Sequence, residues 1–141
     1  MDYSSDAVIF CMELVTGRVM IFGTFDVFHP GHRHFIEQAL EEGQELIIVV
    51  ARDKTVMRFK QRLKNAETER LRVVQEAYPG VKVLLGHPEN PMKVVEDYRP
   101  EIVCLGYDQV GFSQQLVKEF PHIKIKRLKA LSPEKYKSSK M

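Results

Sequence analysis

Cysteine is scarce in this chain. Cys11 and Cys104 are the only two in 141 residues. That is too few for a disulfide framework in a domain of this size, and Cys104 stands inside an apolar run that reads as core. A reducing, cytoplasmic setting is the expectation that follows. Long hydrophobic runs are missing as well: the longest apolar stretches span about five residues, against the ~20 that cross a bilayer, so neither a transmembrane helix nor a membrane partner is expected. Residues 1–17 contain Asp2, Asp6 and Glu13 but no Lys or Arg. They lack the basic start of a secretory signal and read as an N-terminal extension of unknown role. Charge of one sign does not dominate either, and a formal net charge of +2 gives no reason to expect a nucleic-acid partner. The GxGxxG of dinucleotide folds and the GxxxxGK[ST] of P-loops are absent, which counts against a dehydrogenase or an ordinary kinase.

What is present fits one globular domain. With 44% hydrophobic and 28% charged residues, the chain has apolar material for one proper core and no room for a second domain of useful size. The domain is placed at residues 18–131, with a basic C-terminal motif at 132–141. Short β-like runs recur at Val19 to Phe22, Leu46 to Val50, Val81 to Leu85, Ile102 to Leu105 and Ile123 to Leu128, and the segments between them have helical periodicity. The first four are nearly continuous apolar blocks, as strands covered on both faces are. The fifth sets Ile123 and Ile125 between Lys124 and Lys126, the alternation of a half-exposed edge strand.

The first helix should present Phe35, Ile36, Ala39 and Leu40 to the core and stop near Gly43. A second should carry Leu71, Val74 and Ala77. A third should have Asn90 as its cap, Pro91 in its first turn, and Val94, Val95 and Tyr98 buried. A fourth should bury Leu116, Val117 and Phe120. The expected fold class is α/β: a single-domain, doubly wound, five-stranded, mainly parallel sheet of Rossmann-like type. Such sheets bind ligands beyond the carboxyl ends of their strands, where strand order reverses. Chemically unusual residues do follow the strand ends: Gly23-Thr24-Phe25-Asp26, then Ala51-Arg52-Asp53-Lys54, then Gly106-Tyr107-Asp108-Gln109.

The segment Gly23 to His34 reads GTFDVFHPGHRH and carries the strongest signal. His29 and His32, three apart, share one helical face and enclose Pro30 and Gly31, residues that suit a first turn and a close backbone approach. Free N–H groups and the helix dipole there favour phosphate, and Gly23 and Thr24 can add amides. Zinc is the competing reading of the clustered histidines, but no acidic or cysteine ligand stands at a familiar spacing. His34, His87 and His122 read as surface or cap residues.

GTFDVFHPGH resembles the HxGH signature of the cytidylyltransferase-like nucleotidyltransferases, and the likeness extends over Val19 to Lys140. Within that family VVARDKTV at Val49 to Val56, LGYDQ at Leu105 to Gln109 and PEKYKSSK at Pro133 to Lys140 are most similar to archaeal-type FAD synthases. The glycerol-phosphate cytidylyltransferases end instead in a motif like RTxGISTT. The resemblance implies transfer of AMP from ATP to FMN, with pyrophosphate leaving. The alternatives are a cytidylyltransferase using CTP and a phosphorylated polyol, or a nucleotide-binding module without catalysis. It also implies roles. His29, His32, Lys137 and Ser138 would be catalytic. Gly23, Thr24, Phe25, Gly106, Asp108, Ser139 and Lys140 would join the two histidines and Ser138 in holding the nucleotide. Asp53, Lys54 and Arg70 would serve the acceptor, with Lys60 a weaker candidate. Mg2+ would accompany the triphosphate without a dedicated protein cage, and a homodimer is expected. From the residues alone, Arg70 is equally an exposed helix arginine, Asp53 and Asp108 are equally helix caps, and the last ten residues are equally a loose polar end.

Overall fold

The computed structural model describes residues 15–58, 63–106 and 110–128. Strands β1 (Val15–Gly23), β2 (Glu45–Val50), β3 (Lys82–Leu85), β4 (Pro100–Leu105) and β5 (Lys124–Arg127) alternate with helices α1 (Pro30–Leu40), α2 (Asp53–Arg58), α3 (Glu67–Ala77), α4 (Met92–Tyr98) and α5 (Val110–Glu119). The strands form one sheet in the order β3-β2-β1-β4-β5. Every pairing in it is parallel, so the sheet is wholly rather than mainly parallel.

Side-chain alternation along the central strands builds two cores, one on each face of the sheet. Val19 and Ile21 of β1, with Leu46, Ile48 and Val50 of β2, pack with Ile36 and Ala39 of α1 and Val74 of α3. Met20 and Phe22, with Ile47 and Val49, pack with Met92, Val94 and Val95 of α4 and Leu116 of α5. Both faces are therefore covered, which explains why β1 and β2 read as unbroken apolar blocks. β5 lies at the sheet edge and has only Ile125 half-buried, in keeping with its alternating lysines.

Two helix assignments need correction. Leu40 and Val117 are 38% and 58% exposed, because each follows a buried residue, Ala39 and Leu116, and one step along a helix turns a side chain by about 100° off the inward face. Asn90 does cap α4: its Oδ1 accepts the Met92 N–H at 3.1 Å. The six-residue α2 was not anticipated, since a single turn and a half is too short to show periodicity.

The chain order sets the site. β1 is central, β2 and β3 are laid on one side of it, and the crossover through α4 returns the chain to its other side as β4. Strand order thus reverses between β1 and β4, and the loop leaving β1 toward α1 opens at that crevice.

Candidate active site

The loop from β1 to α1 is strained. Phe25 and Val27 have φ of 55° and 52°, a region that costs a non-glycine residue energy and persists only where surroundings enforce it. Phe25 turns its ring back onto the end of β1. A Cβ on Gly23 would lie 2.7 Å from that ring, so the position requires glycine. The ring is buried and meets His32 edge-on, with 5.4 Å between centroids. The Phe25 side chain therefore faces the core, where it lies against His32.

His29 is the N-cap of α1, in extended backbone, and it shares a reciprocal capping box with His32. The His29 Nδ1 accepts the Gly31 N–H at 3.0 Å, and the His32 Nδ1 accepts the His29 N–H at 3.3 Å. The His32 N–H is bonded to the His29 carbonyl at 2.9 Å. The amides expected to be free at this helix start are thus satisfied by the two histidines themselves. What the helix end offers instead is the far side of each ring. With Nδ1 acting as acceptor in both, the proton of each neutral imidazole is on Nε2, and two Nε2–H donors remain to be used. The rings stack at 3.8 Å and 23°, and Phe28 covers His32 from 5.6 Å.

The electrostatics agree with that tautomer. Burial first, and the neighbouring His29 after it, lower the His32 pKa to about 4, with Asp26 partly opposing both. Burial also lowers His29. In the unliganded protein at neutral pH the pair is a set of two uncharged N–H donors, not two cations.

Behind the loop lies a polar network that the sequence did not advertise. The Asp26 carboxylate accepts the backbone N–H groups of Lys64 and Asn65 at 2.8 and 3.0 Å and the Asn65 amide at 3.2 Å. Arg70 is 1% exposed. Its guanidinium donates to the carbonyls of Thr24 (2.7 Å) and Asn65 (3.1 Å) and to Asp53 Oδ1 (2.7 Å). The reading of Arg70 as an exposed helix arginine is overturned, and as an acceptor contact it has no exposed side-chain surface in this conformation. Glu67 accepts from the Asp53 N–H at 2.8 Å and from Arg52 at 3.3 Å, and Arg52 also donates to the Gly86 carbonyl at 2.7 Å. No local pattern could have revealed these ties, since all but the Arg70–Asn65 bond join residues 14 to 46 positions apart.

Asp53 borders a cleft of about 400 Å³ lined also by Met57, Leu63, Lys64, Asn65 and Ala66. Lys54 stands outside it, exposed and paired with Glu89 at 2.6 Å. Gly23 ends β1 and Thr24 follows it, and the Gly23 carbonyl accepts the Ala51 N–H at 2.9 Å. Gly106 follows β4, and its carbonyl accepts from Arg127 at 3.0 Å. Lys60, Asp108, Lys137, Ser138, Ser139 and Lys140 lie outside the described residues. Among the described residues no three His, Cys, Asp or Glu side chains come together as a metal cage requires, so a zinc reading of the histidine cluster gains no ligand set. His87 lies in the loop before α4, its Nδ1 accepting the Glu89 and Asn90 N–H groups.

A doubly wound parallel sheet with a histidine-capped helix opening at its switch point is the architecture of a known class. The chain belongs to the cytidylyltransferase-like family, whose model matches residues 20–141. Among curated relatives, the FAD synthase of Aciduliprofundum boonei is 40% identical over 122 residues, covering 86% of this chain and 81% of the relative. That of Archaeoglobus profundus is 39% identical over 126 residues, with the same two coverages. Of solved structures, a lipopolysaccharide core biosynthesis protein from Thermoplasma volcanium superposes with a TM-score of 0.70 at 32% identity, covering 83% of this chain and 98% of that one. The pantoate-beta-alanine ligase of Francisella tularensis, at 17% identity and a TM-score of 0.53, shares the fold.

Proposed function

We propose that this protein is an FMN adenylyltransferase, joining AMP from ATP to FMN to give FAD and pyrophosphate. The observation that carries the reading is the His29–His32 pair, two Nε2–H donors held side by side at the mouth of the central crossover, in a chain about 40% identical to FAD synthases over most of its length. A phosphate oxygen of FMN attacks the α-phosphorus of ATP; a new P–O bond forms there as the bond from the α-phosphorus to the bridging oxygen breaks, and pyrophosphate carries that electron pair away. The nucleophile needs no general base, because a phosphate monoester is already largely dianionic at neutral pH. The protein's task is to position the reactants and to answer the negative charge that builds on the non-bridging and leaving oxygens. Neutral imidazole N–H groups suit this, and removal of one such donor costs ~2.7–4 kcal/mol of transition-state stabilisation in comparable sites.

The remaining assignments complete this proposal. Mg2+ enters as part of the substrate, held mainly by phosphate and water. Gly23, Thr24, Gly106 and Asp108 border the nucleotide, and Lys137, Ser138, Ser139 and Lys140 grip its β- and γ-phosphates. Asp53 serves the acceptor at the cleft beside α2 and Lys54 from outside that cleft, while Phe25 supports His32 from the core. The enzyme works in the cytoplasm as a homodimer. Incubation with ATP and FMN, and separately with CTP and glycerol 3-phosphate, tests the function through pyrophosphate release. FAD in the first mixture alone is the expected result. Release only in the second would replace the reading with a cytidylyltransferase, and ATP binding with no turnover in either would leave a binding module.

A further inference from the structure

Arg70 is the single charged residue in the described core, and the transfer chemistry makes no direct use of it. Its helix is not held by a side-chain cap, for Ala66 occupies the N-cap position of α3. The guanidinium instead reaches out of α3 to three oxygens on three separate segments: the Thr24 carbonyl at the exit of β1, the Asn65 carbonyl before α3 and the carboxylate of Asp53 at the start of α2. Asn65 is itself fastened to Asp26 through its backbone and side-chain N–H groups. Residues 24 and 26 are thereby pinned from one side by Arg70 and the Asp26 contacts, on either flank of Phe25, the first of the two strained residues. Phe25 in turn lies against His32.

We propose that Arg70 is a positioning residue for the transfer: it locks the β1–α1 loop into the strained shape that aims the two imidazoles, and it fixes Asp53 relative to that loop. The three-way bond uses what is peculiar to arginine, a rigid fork of donors that reaches several acceptors at once. Lysine at this position could satisfy one or two of the oxygens and would leave the rest unpaired in the interior. Strained backbone persists only where its surroundings over-determine it, so a loosened anchor should let Thr24 to Val27 relax and carry His32 out of register.

The inference rests on the adenylyltransferase reading for its kinetic test and stands apart from it for its spectroscopic one. Arg70→Lys and Arg70→Met would be compared with wild type for kcat and KM toward ATP and FMN, normalised to the folded fraction from circular dichroism. In parallel, the His29 and His32 ring protons would be followed by NMR as a function of pH. For Arg70→Lys, kcat should fall at least tenfold with KM for either substrate changed less than threefold, and the His32 midpoint should move up toward the ordinary histidine value as its packing loosens. Arg70→Met should lose more. Should Arg70→Met fail to fold, Arg70→Lys alone carries the comparison. A lower melting temperature with kcat per folded molecule and the His32 midpoint both unchanged would make Arg70 a purely structural residue and overturn the proposal. If wild type forms no FAD, the functional reading falls, whereas the imidazole titrations in the variants still decide the role of Arg70.

Discussion

The imidazoles of His29 and His32 close the start of one helix reciprocally: the His29 Nδ1 accepts the Gly31 N–H, the His32 Nδ1 accepts the N–H of His29 at the N-cap, and the rings are stacked with centroids 3.8 Å apart. A helix start is ordinarily capped by serine, threonine, aspartate or asparagine. Here the capping residues are also the donors proposed to meet the triphosphate. One arrangement therefore orients the rings, fixes their tautomers and exhausts the amides that would otherwise compete for phosphate.

His32→Ala should lower kcat/KM for FAD formation by about 10²–10³-fold, the cost of one lost oxyanion donor, with the circular dichroism spectrum retained. His29→Ala should cost a similar factor. Because each ring holds the other, the double variant should lose less than the product of the two factors. Pyrophosphate release under saturating FMN checks both statements, and a wild-type rate in His32→Ala would remove the residue from the active site.

Stability should depend on pH through His32. Its folded pKa, lowered to about 4, lies below the ordinary histidine value of 6.5, so between those limits the unfolded chain takes up a proton that the folded protein refuses. His32 thus adds a stabilising contribution that is complete above pH 6.5 and is lost as pH falls toward 4. Urea titrations across that window should show the slope, and His32→Gln, which cannot titrate, should reduce it. A wild-type slope kept in full by the variant would contradict the assignment.

Gly23→Ala should destabilise the protein by about 1–3 kcal/mol, the usual cost of forcing an extra carbon into packed surroundings, because its methyl would lie 2.7 Å from the Phe25 ring. Thermal unfolding measures this. Activity should fall further than stability accounts for, since the displaced ring supports His32.

Asp26→Ala should cost a similar ~1–3 kcal/mol by leaving the N–H groups of Lys64 and Asn65 without their acceptor, whereas Asp26→Asn, which keeps one acceptor oxygen, should cost less. Lys54→Ala offers the opposite case. Its pair with Glu89 is exposed on both sides and such pairs contribute little, so the melting temperature should hold while KM for FMN rises if Lys54 meets the acceptor.

The five strands were legible because each is a short apolar run between turn signals, and the location of the site followed from the doubly wound order those runs imply. His29 and His32 were legible from their spacing around Pro30-Gly31 at a helix start, whereas their own use of the helix-start amides was not. Arg70 was not. Its position in a polar helix start looks like any solvated arginine, and only the fold brings Thr24, 46 positions away, within 2.7 Å of its guanidinium. The Asp26 contacts were hidden for the same reason, 38 and 39 positions off. Leu40 and Val117 misled because an apolar residue next to a buried one in a helix reads as part of the stripe although it points about 100° away from it.

The lysines of β5 have a consequence beyond that strand. An outermost strand offers unpaired amides and carbonyls to any passing extended chain, and positive side chains along it are one of the ways proteins discourage such additions. Lys124, Lys126 and Arg127 are all exposed on that border, Lys126 paired with Glu42 and Arg127 bonded to Gly106 and Ser113, and a rim so charged and so engaged is a poor template for edge-to-edge addition.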